Sequence, residues 1–189
     1  MIWDKAAKMY DFFETLYNRR VYVGTGVVVA MMLRPEDVVL ECACGTGGIS
    51  RYIAPKCRKL VASDFSIGML NQAAKNCRNF DNITFKKADI TNLNCRDKVF
   101  DKVVAGNVIH LVSDPKKAIS ELERVVKDGG ELIIPTYINM ESGYKKWVIR
   151  AVEKWGIHFK RQFDMDSYMK FFEDLGYKDV VYHVVDGRM

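Results

Sequence analysis

Glu41, Gly45, Asp64, Asp89 and His110 are the positions whose residue types and spacing could do chemistry. Residues 38–50, VVLECACGTGGIS, run from an apolar segment through Glu41 into a turn of small residues. Apolar residues resume at Ile49 and Ile53, so the pattern predicts a buried strand, a tight turn and a helix. Glycines let such a turn fold sharply and let a ligand approach the main chain closely. Asp64 follows Gly45 by about 20 residues, the distance of a carboxylate that accepts ribose hydroxyls. Asp89 stands at the end of a later expected strand, where it can accept from an adenine amino group. Either acid could instead cap a helix or close a turn. His110 is the best-placed candidate for a general base, just beyond Asn107.

Two ligand classes use such a turn. A dinucleotide takes G-x-G-x-x-G, which Ala43, Gly45 and Gly48 match loosely. S-adenosylmethionine takes an acid, two intervening residues and then C-G-T-G; Glu41 and Cys44-Gly45-Thr46-Gly47 match that closely. A turn serving only strand–helix packing gives the same pattern.

These residues need elements to hold them. Strands are expected at 38–40, 59–63, 83–87, 99–105 and 131–137. Ser66 caps a helix with apolar positions Met69, Leu70, Ala73, Ala74 and Cys77. Asp114-Pro115 starts another, with Ala118, Ile119, Leu122, Val125 and Val126 on its buried face and Asp128-Gly129-Gly130 at its end. The alternation predicts an α/β fold: a Rossmann-like doubly wound sheet, mostly parallel, with helices on both faces. An N-terminal helical cap precedes it. Ile2, Trp3, Ala6, Met9, Tyr10, Phe13, Leu16 and Tyr17 recur at helical spacing, and residues 27–33 read as a second, buried helix ending before Pro35. Most of the aromatic stripe is core, with Tyr10 and Tyr22 kept as substrate or cofactor contacts. The expected division is 1–35 for the cap, 36–137 for the cofactor-binding core, and 138–189 for a lid insertion with a C-terminal helix and strand.

Composition narrows the class. The chain has 189 residues, 49% hydrophobic and 28% charged, which suits one soluble globular domain. Its net charge of +5 is scattered, so no nucleic-acid partner is expected. No stretch spans a membrane and no signal peptide is evident, so a cytoplasmic protein without membrane insertion is expected. The five cysteines include no C-x-x-C pair, and no metal is expected.

The series VLECACGTG, ASDFSIGML, FKKADITNL and FDKVVAGNVIHLVSDPKKAISELERVVKDGGELII resembles the class I S-adenosylmethionine-dependent methyltransferases. It is most similar to the small-molecule group that contains the ubiquinone and menaquinone biosynthesis enzymes. The resemblance covers roughly residues 36–137. It implies that the turn of Ala43, Cys44, Gly45, Thr46 and Gly47, with Glu41, lies under the methionine part and ribose of the cofactor. It further implies Asp64 on the ribose, Ala88-Asp89-Ile90 at the adenine, and Phe65 and Met69 packed on adenine or ribose. Gly106 and Asn107 then line the methionine and methyl group.

The family usually carries glycine where this chain has Ala43, and alanine is tolerated there with a negative φ. The family fold continues past strand five with a helix, strand six, a helix and strand seven. Here helices are expected at 143–155 and 166–175 and one strand at 177–185, so a final edge strand is expected to be missing. Tyr144 and Trp147, with Trp155 and Phe159, would form a lid suited to a small, partly apolar methyl acceptor. The D/N-P-P-[YFW] sequence of amino-methylating DNA enzymes and the paired glutamates of protein arginine methyltransferases are absent after strand four. Two other readings stay open: a nicotinamide-dependent oxidoreductase, and a non-catalytic cofactor-binding protein on the same fold. Oligomeric state is not legible.

Overall fold

The computed structural model describes residues 19–138, 161 and 163–185. Tyr10, Tyr144, Trp147 and the expected lid helix at 143–155 lie outside them. Helix α1 spans Arg19–Met31, β1 Val38–Cys42, α2 Ser50–Ile53 with a 3-10 turn at Ala54–Lys56, and β2 Lys59–Asp64. Helix α3 spans Ile67–Asn76, β3 Ile83–Lys87, β4 Phe100–Ala105, α4 Pro115–Val125, β5 Val126–Ile133 and α5 Met165–Asp174. The strands form one sheet in the order β3-β2-β1-β4-β5, and every pairing is parallel. Strand order reverses between β1 and β4, so ligands are expected beyond the carboxyl ends of those strands.

The central strands β1 and β4 are buried on both faces because helices cover both sides of the sheet there. Val39 and Val104 point to one cluster with Val29, Ile53, Leu60 and Ala73, which is the side of α1, α2 and α3. Leu40, Cys42, Val103 and Ala105 point to the other, with Ala118, Leu122 and Phe172 of α4 and α5. Val39, Leu60, Val103, Val104 and Leu122 are fully buried, each side chain contributing about 1.5–3 kcal/mol.

Helices α3, α4 and α5 begin where side-chain acceptors meet free amides. Ser66 Oγ accepts from Met69 N at 3.1 Å, and Asp114 Oδ1 accepts from Lys117 N at 3.0 Å ahead of Pro115. Asp164 and Ser167 form a reciprocal capping box at α5.

Four expectations need correction. Helix α4 stops at Val125, because Val126 turns to φ −76°, ψ 144° and pairs with Phe100. Val126 therefore starts β5, and Asp128-Gly129-Gly130 lies inside the strand's span, where the register shifts between Phe100 and Lys102. Ala74 faces solvent while Ala73 is buried. Helix α1 begins well before residue 27, ends at Met31, and leaves Val27 and Met31 exposed at 42% and 80%. Residues 177–185 make no ladder with the sheet among the described residues. Val180 and Tyr182 pack against the α4–α5 cluster instead.

Candidate active site

The register gathers the carboxyl ends of four strands. Cys42 pairs with Ser63 on one side and Ala105 on the other, so Ala43 has Asp64 and Gly106 as neighbours. Asp64 in turn pairs with Lys87, and Ala88 N donates to Asp64 O at 3.0 Å.

The turn after β1 needs left-handed backbone at alternate residues. Ala43, Gly45 and Gly47 have φ of 54°, 55° and 84°. The negative φ that would make alanine tolerable at this position is therefore absent: an alanine occupies a conformation that suits glycine. A Cβ on Gly47 would meet Cys77 Sγ at 2.8 Å, so this residue must be small for the turn to pack on α3. A Cβ on Gly45 would meet nothing within 4 Å, so its outer face is open.

Asp64 borders that open face. Its Oδ2 accepts from Gly45 N at 2.9 Å and its Oδ1 from Ser66 N at 2.8 Å. Each carboxylate oxygen can accept more than one hydrogen bond, so the pair can also take hydroxyls. Asn76 Nδ2 donates to Thr46 O at 2.9 Å and ties the turn to α3. Thr46 Oγ1 is buried without a hydrogen-bond partner among the described residues. Phe65 is 50% exposed, and Lys87 Nζ lies 5.7 Å from its ring centre.

Glu41 sits beneath the turn, nearly inaccessible, accepting from Ser50 Oγ. Burial pushes its carboxyl up to about 8, and the nearby Asp64 adds to the rise. Cys44 is buried in the turn, and burial raises its thiol well above the usual range. Asp89 Oδ1 accepts from Thr91 N and Thr91 Oγ1, closing its own turn. Met69 is buried, and Ile90 joins the core cluster of α4 and α5, so both side chains are turned into the core.

Gly106 packs against Ile49, where a Cβ would meet Ile49 Cδ1 at 2.5 Å. Asn107 has φ 54° and donates its amide to Pro135 O at 2.8 Å, joining the ends of β4 and β5. His110 is buried, its Nδ1 3.2 Å from Thr136 Oγ1 and its carbonyl accepting from Arg161 N at 3.2 Å. Burial lowers its pKa to about 4, so the ring is neutral at pH 7.

Tyr22 of α1 reaches the turn from the other side. A side chain on Gly48 would run into its hydroxyl, and Arg51 lies over its ring. Gly26 of α1 in return faces the Tyr52 ring of α2, so α1 packs its tyrosine on a glycine of the turn and its own glycine on a tyrosine of α2. Arg51 and Lys87 escaped the sequence reading. Their signals were a cation one helical turn past Gly47 and a cation at the last position of β3. Two surface cavities, of about 350 and 140 Å³, lie among residues such as Val38, Lys59 and Thr84, and Asp37, Asp101 and Lys102. Those residues stand at the opposite, amino-terminal edge of the sheet, away from this chemistry.

Known proteins resemble this chain in sequence and fold. The family described as a methyltransferase domain matches residues 40–134, from the middle of β1 to just past β5. The chain belongs to that family, within the class I S-adenosylmethionine-dependent methyltransferases. A demethylmenaquinone methyltransferase of Renibacterium salmoninarum is 31% identical over 86% of this chain and 76% of its own. One from Paenarthrobacter aurescens is 30% identical over 98% of this chain and 81% of its own. The crystal structure of an S-adenosylmethionine-dependent methyltransferase from Thermotoga maritima shares the fold, with a TM-score of 0.74 at 22% identity over 94% of this chain and 81% of that one. This methyltransferase therefore takes its methyl group from S-adenosylmethionine. The oxidoreductase reading, which used the loose match at Ala43, Gly45 and Gly48, gives way to it. The open face at Gly45, the acceptors of Asp64 beside it and the orphaned Thr46 hydroxyl fit such a ligand. Among the described residues no helix is long and apolar enough to cross a membrane.

Proposed function

We propose that this methyltransferase methylates a small, partly apolar acceptor of the quinol type, with S-adenosylhomocysteine as the second product. The observation that carries the cofactor's placement is the open Gly45 face bounded by Asp64. The acceptor class is supported by the relatives, which are named for demethylmenaquinone.

When bound, S-adenosylmethionine supplies a methyl group on a positively charged sulfur, which makes the transfer a matter of alignment and dehydration. Asp64 accepts the ribose hydroxyls and fixes the sugar over Gly45. Phe65 offers a ring face to the adenine, and Asp89 Oδ2 accepts from its amino group. The turn of Ala43, Cys44, Gly45, Thr46 and Gly47 lies under the methionine part, with Glu41 holding the turn from below. Gly106 and Asn107 border the methyl group. His110 receives the proton that the acceptor loses; its neutral ring is held by the contact of Nδ1 with Thr136.

The test is turnover on a demethylated naphthoquinol with labelled cofactor, read as a methylated product and S-adenosylhomocysteine in equal amounts. Release of S-adenosylhomocysteine with other small acceptors but never with the quinol would remove the acceptor assignment. Binding of S-adenosylhomocysteine with no turnover on any acceptor would favour a non-catalytic role.

A further inference from the structure

Arg51 is a cation at the turn that no acid neutralises among the described residues. Its Nε is buried without a hydrogen-bond partner, and its guanidinium lies over the Tyr22 ring, 5.7 Å from the centre. Stacking supplies attraction but no acceptor for the guanidinium N–H groups. A buried donor left without an acceptor is costly. The acids nearby are engaged elsewhere: Asp64 holds Gly45 N and Ser66 N, and Glu41 holds Ser50. Burial also keeps Glu41 protonated at neutral pH, so it offers no charge to Arg51.

The position of Arg51 is fixed from both sides. Its amide donates to Gly47 O at 3.2 Å, and the hydroxyl end of Tyr22 rests on Gly48. Arg51 and Tyr22 thus stand at the Gly48 end of the turn, while Asp64 stands at the Gly45 end. A ligand with its sugar at Asp64 and an anionic tail along the turn would bring that anion to Arg51.

We propose that Arg51, braced by Tyr22, binds the α-carboxylate of the cofactor's methionine part. This rests on the cofactor placement above and adds a residue to it. Guanidinium and carboxylate match as planar, paired donors and acceptors, and Tyr22 keeps the fork oriented. The carboxylate supplies the acceptor that the buried Nε lacks.

The experiment is calorimetry with two ligands, S-adenosylhomocysteine and its decarboxylated form, on three proteins. Wild type should bind the carboxylate-bearing ligand at least about tenfold more tightly. Arg51→Met should lose about 10- to 100-fold in affinity for that ligand and bind the decarboxylated one as wild type does. Arg51→Lys should fall between, since an ammonium keeps the charge but not the fork. Melting without ligand checks that each variant is folded. A wild type that binds both ligands equally overturns the proposal without any variant. Equal losses on both ligands in Arg51→Met, or loss on neither, also overturn it. A wild type that binds neither ligand overturns the cofactor placement itself, an outcome distinct from the others.

Discussion

Asp64 Oδ2 accepts a hydrogen bond from Gly45 N at 2.9 Å, joining two residues 19 apart in sequence at adjacent strand ends. The same carboxylate accepts from Ser66 N, so it holds the glycine turn and the start of α3 together. Its proposed contact with the ribose would thus be made by a group already oriented by the fold.

Asp64→Ala should weaken S-adenosylhomocysteine binding by roughly 1–3 kcal/mol, because charge-assisted bonds to the sugar are lost. It should also lower stability, because Gly45 N and Ser66 N lose their acceptor. Asp64→Asn, which keeps one acceptor, should recover part of both. Calorimetry and melting measure the two effects separately; unchanged affinity in a folded Asp64→Ala protein would rule out the ribose contact.

Ala43→Gly should stabilise the protein. Alanine at φ 54° carries a penalty of about 1 kcal/mol that glycine does not. The gain is offset in part by the greater freedom of glycine in the unfolded chain, leaving about 0.5 kcal/mol. Denaturant unfolding reads it directly, and a loss of stability would contradict the left-handed geometry.

Glu41 makes stability depend on pH. Its carboxyl is raised from 4.5 to about 8 in the folded state, chiefly by burial. The folded protein then binds a proton that the unfolded chain releases, so this stabilisation is full below pH 4.5 and is lost as pH rises towards 8. Glu41→Gln should flatten that slope, and its stability relative to wild type should improve between pH 5 and 9 by on the order of a few kcal/mol. Parallel slopes in the two proteins would place the titration elsewhere.

His110 has the opposite sign. Its pKa falls from 6.5 to about 4 through burial. The unfolded chain binds the extra proton first, so stability is full above pH 6.5 and is lost as pH falls towards 4. If His110 receives the acceptor's proton, His110→Ala should lower turnover by about a hundredfold while cofactor affinity holds. The acid limb of wild-type turnover should then fall near pH 4. A variant with wild-type turnover would leave the residue a packing role with Thr136.

Much of this was legible because it was local. The acid that ends β2 and the helix caps at Ser66 and Asp114 each follow from a few adjacent residue types. The φ of Ala43 was not legible, because its sign depends on where the turn must go and not on which residue is there. The start of β5 was misplaced because Asp128-Gly129-Gly130 has the composition of a helix end, while the pairing of Val126 with Phe100 is long-range. Residues 177–185 read as a strand, yet among the described residues Val180 and Tyr182 pack on the core without ladder bonds to the sheet. Arg51 was missed for a different reason. Its lack of partners is a property of the folded surroundings, and an arginine on a helix is ordinarily a solvated charge.

The most direct measurement is a titration of S-adenosylhomocysteine into wild type and Gly45→Val. Nothing lies within 4 Å of a Cβ at Gly45, so valine there would fill the space assigned to the cofactor and meet the left-handed φ of 55°. Saturable binding to wild type, lost in a Gly45→Val protein that still melts cooperatively, is the predicted result. Absent binding to wild type, or full affinity retained by the variant with its fold intact, would contradict the account.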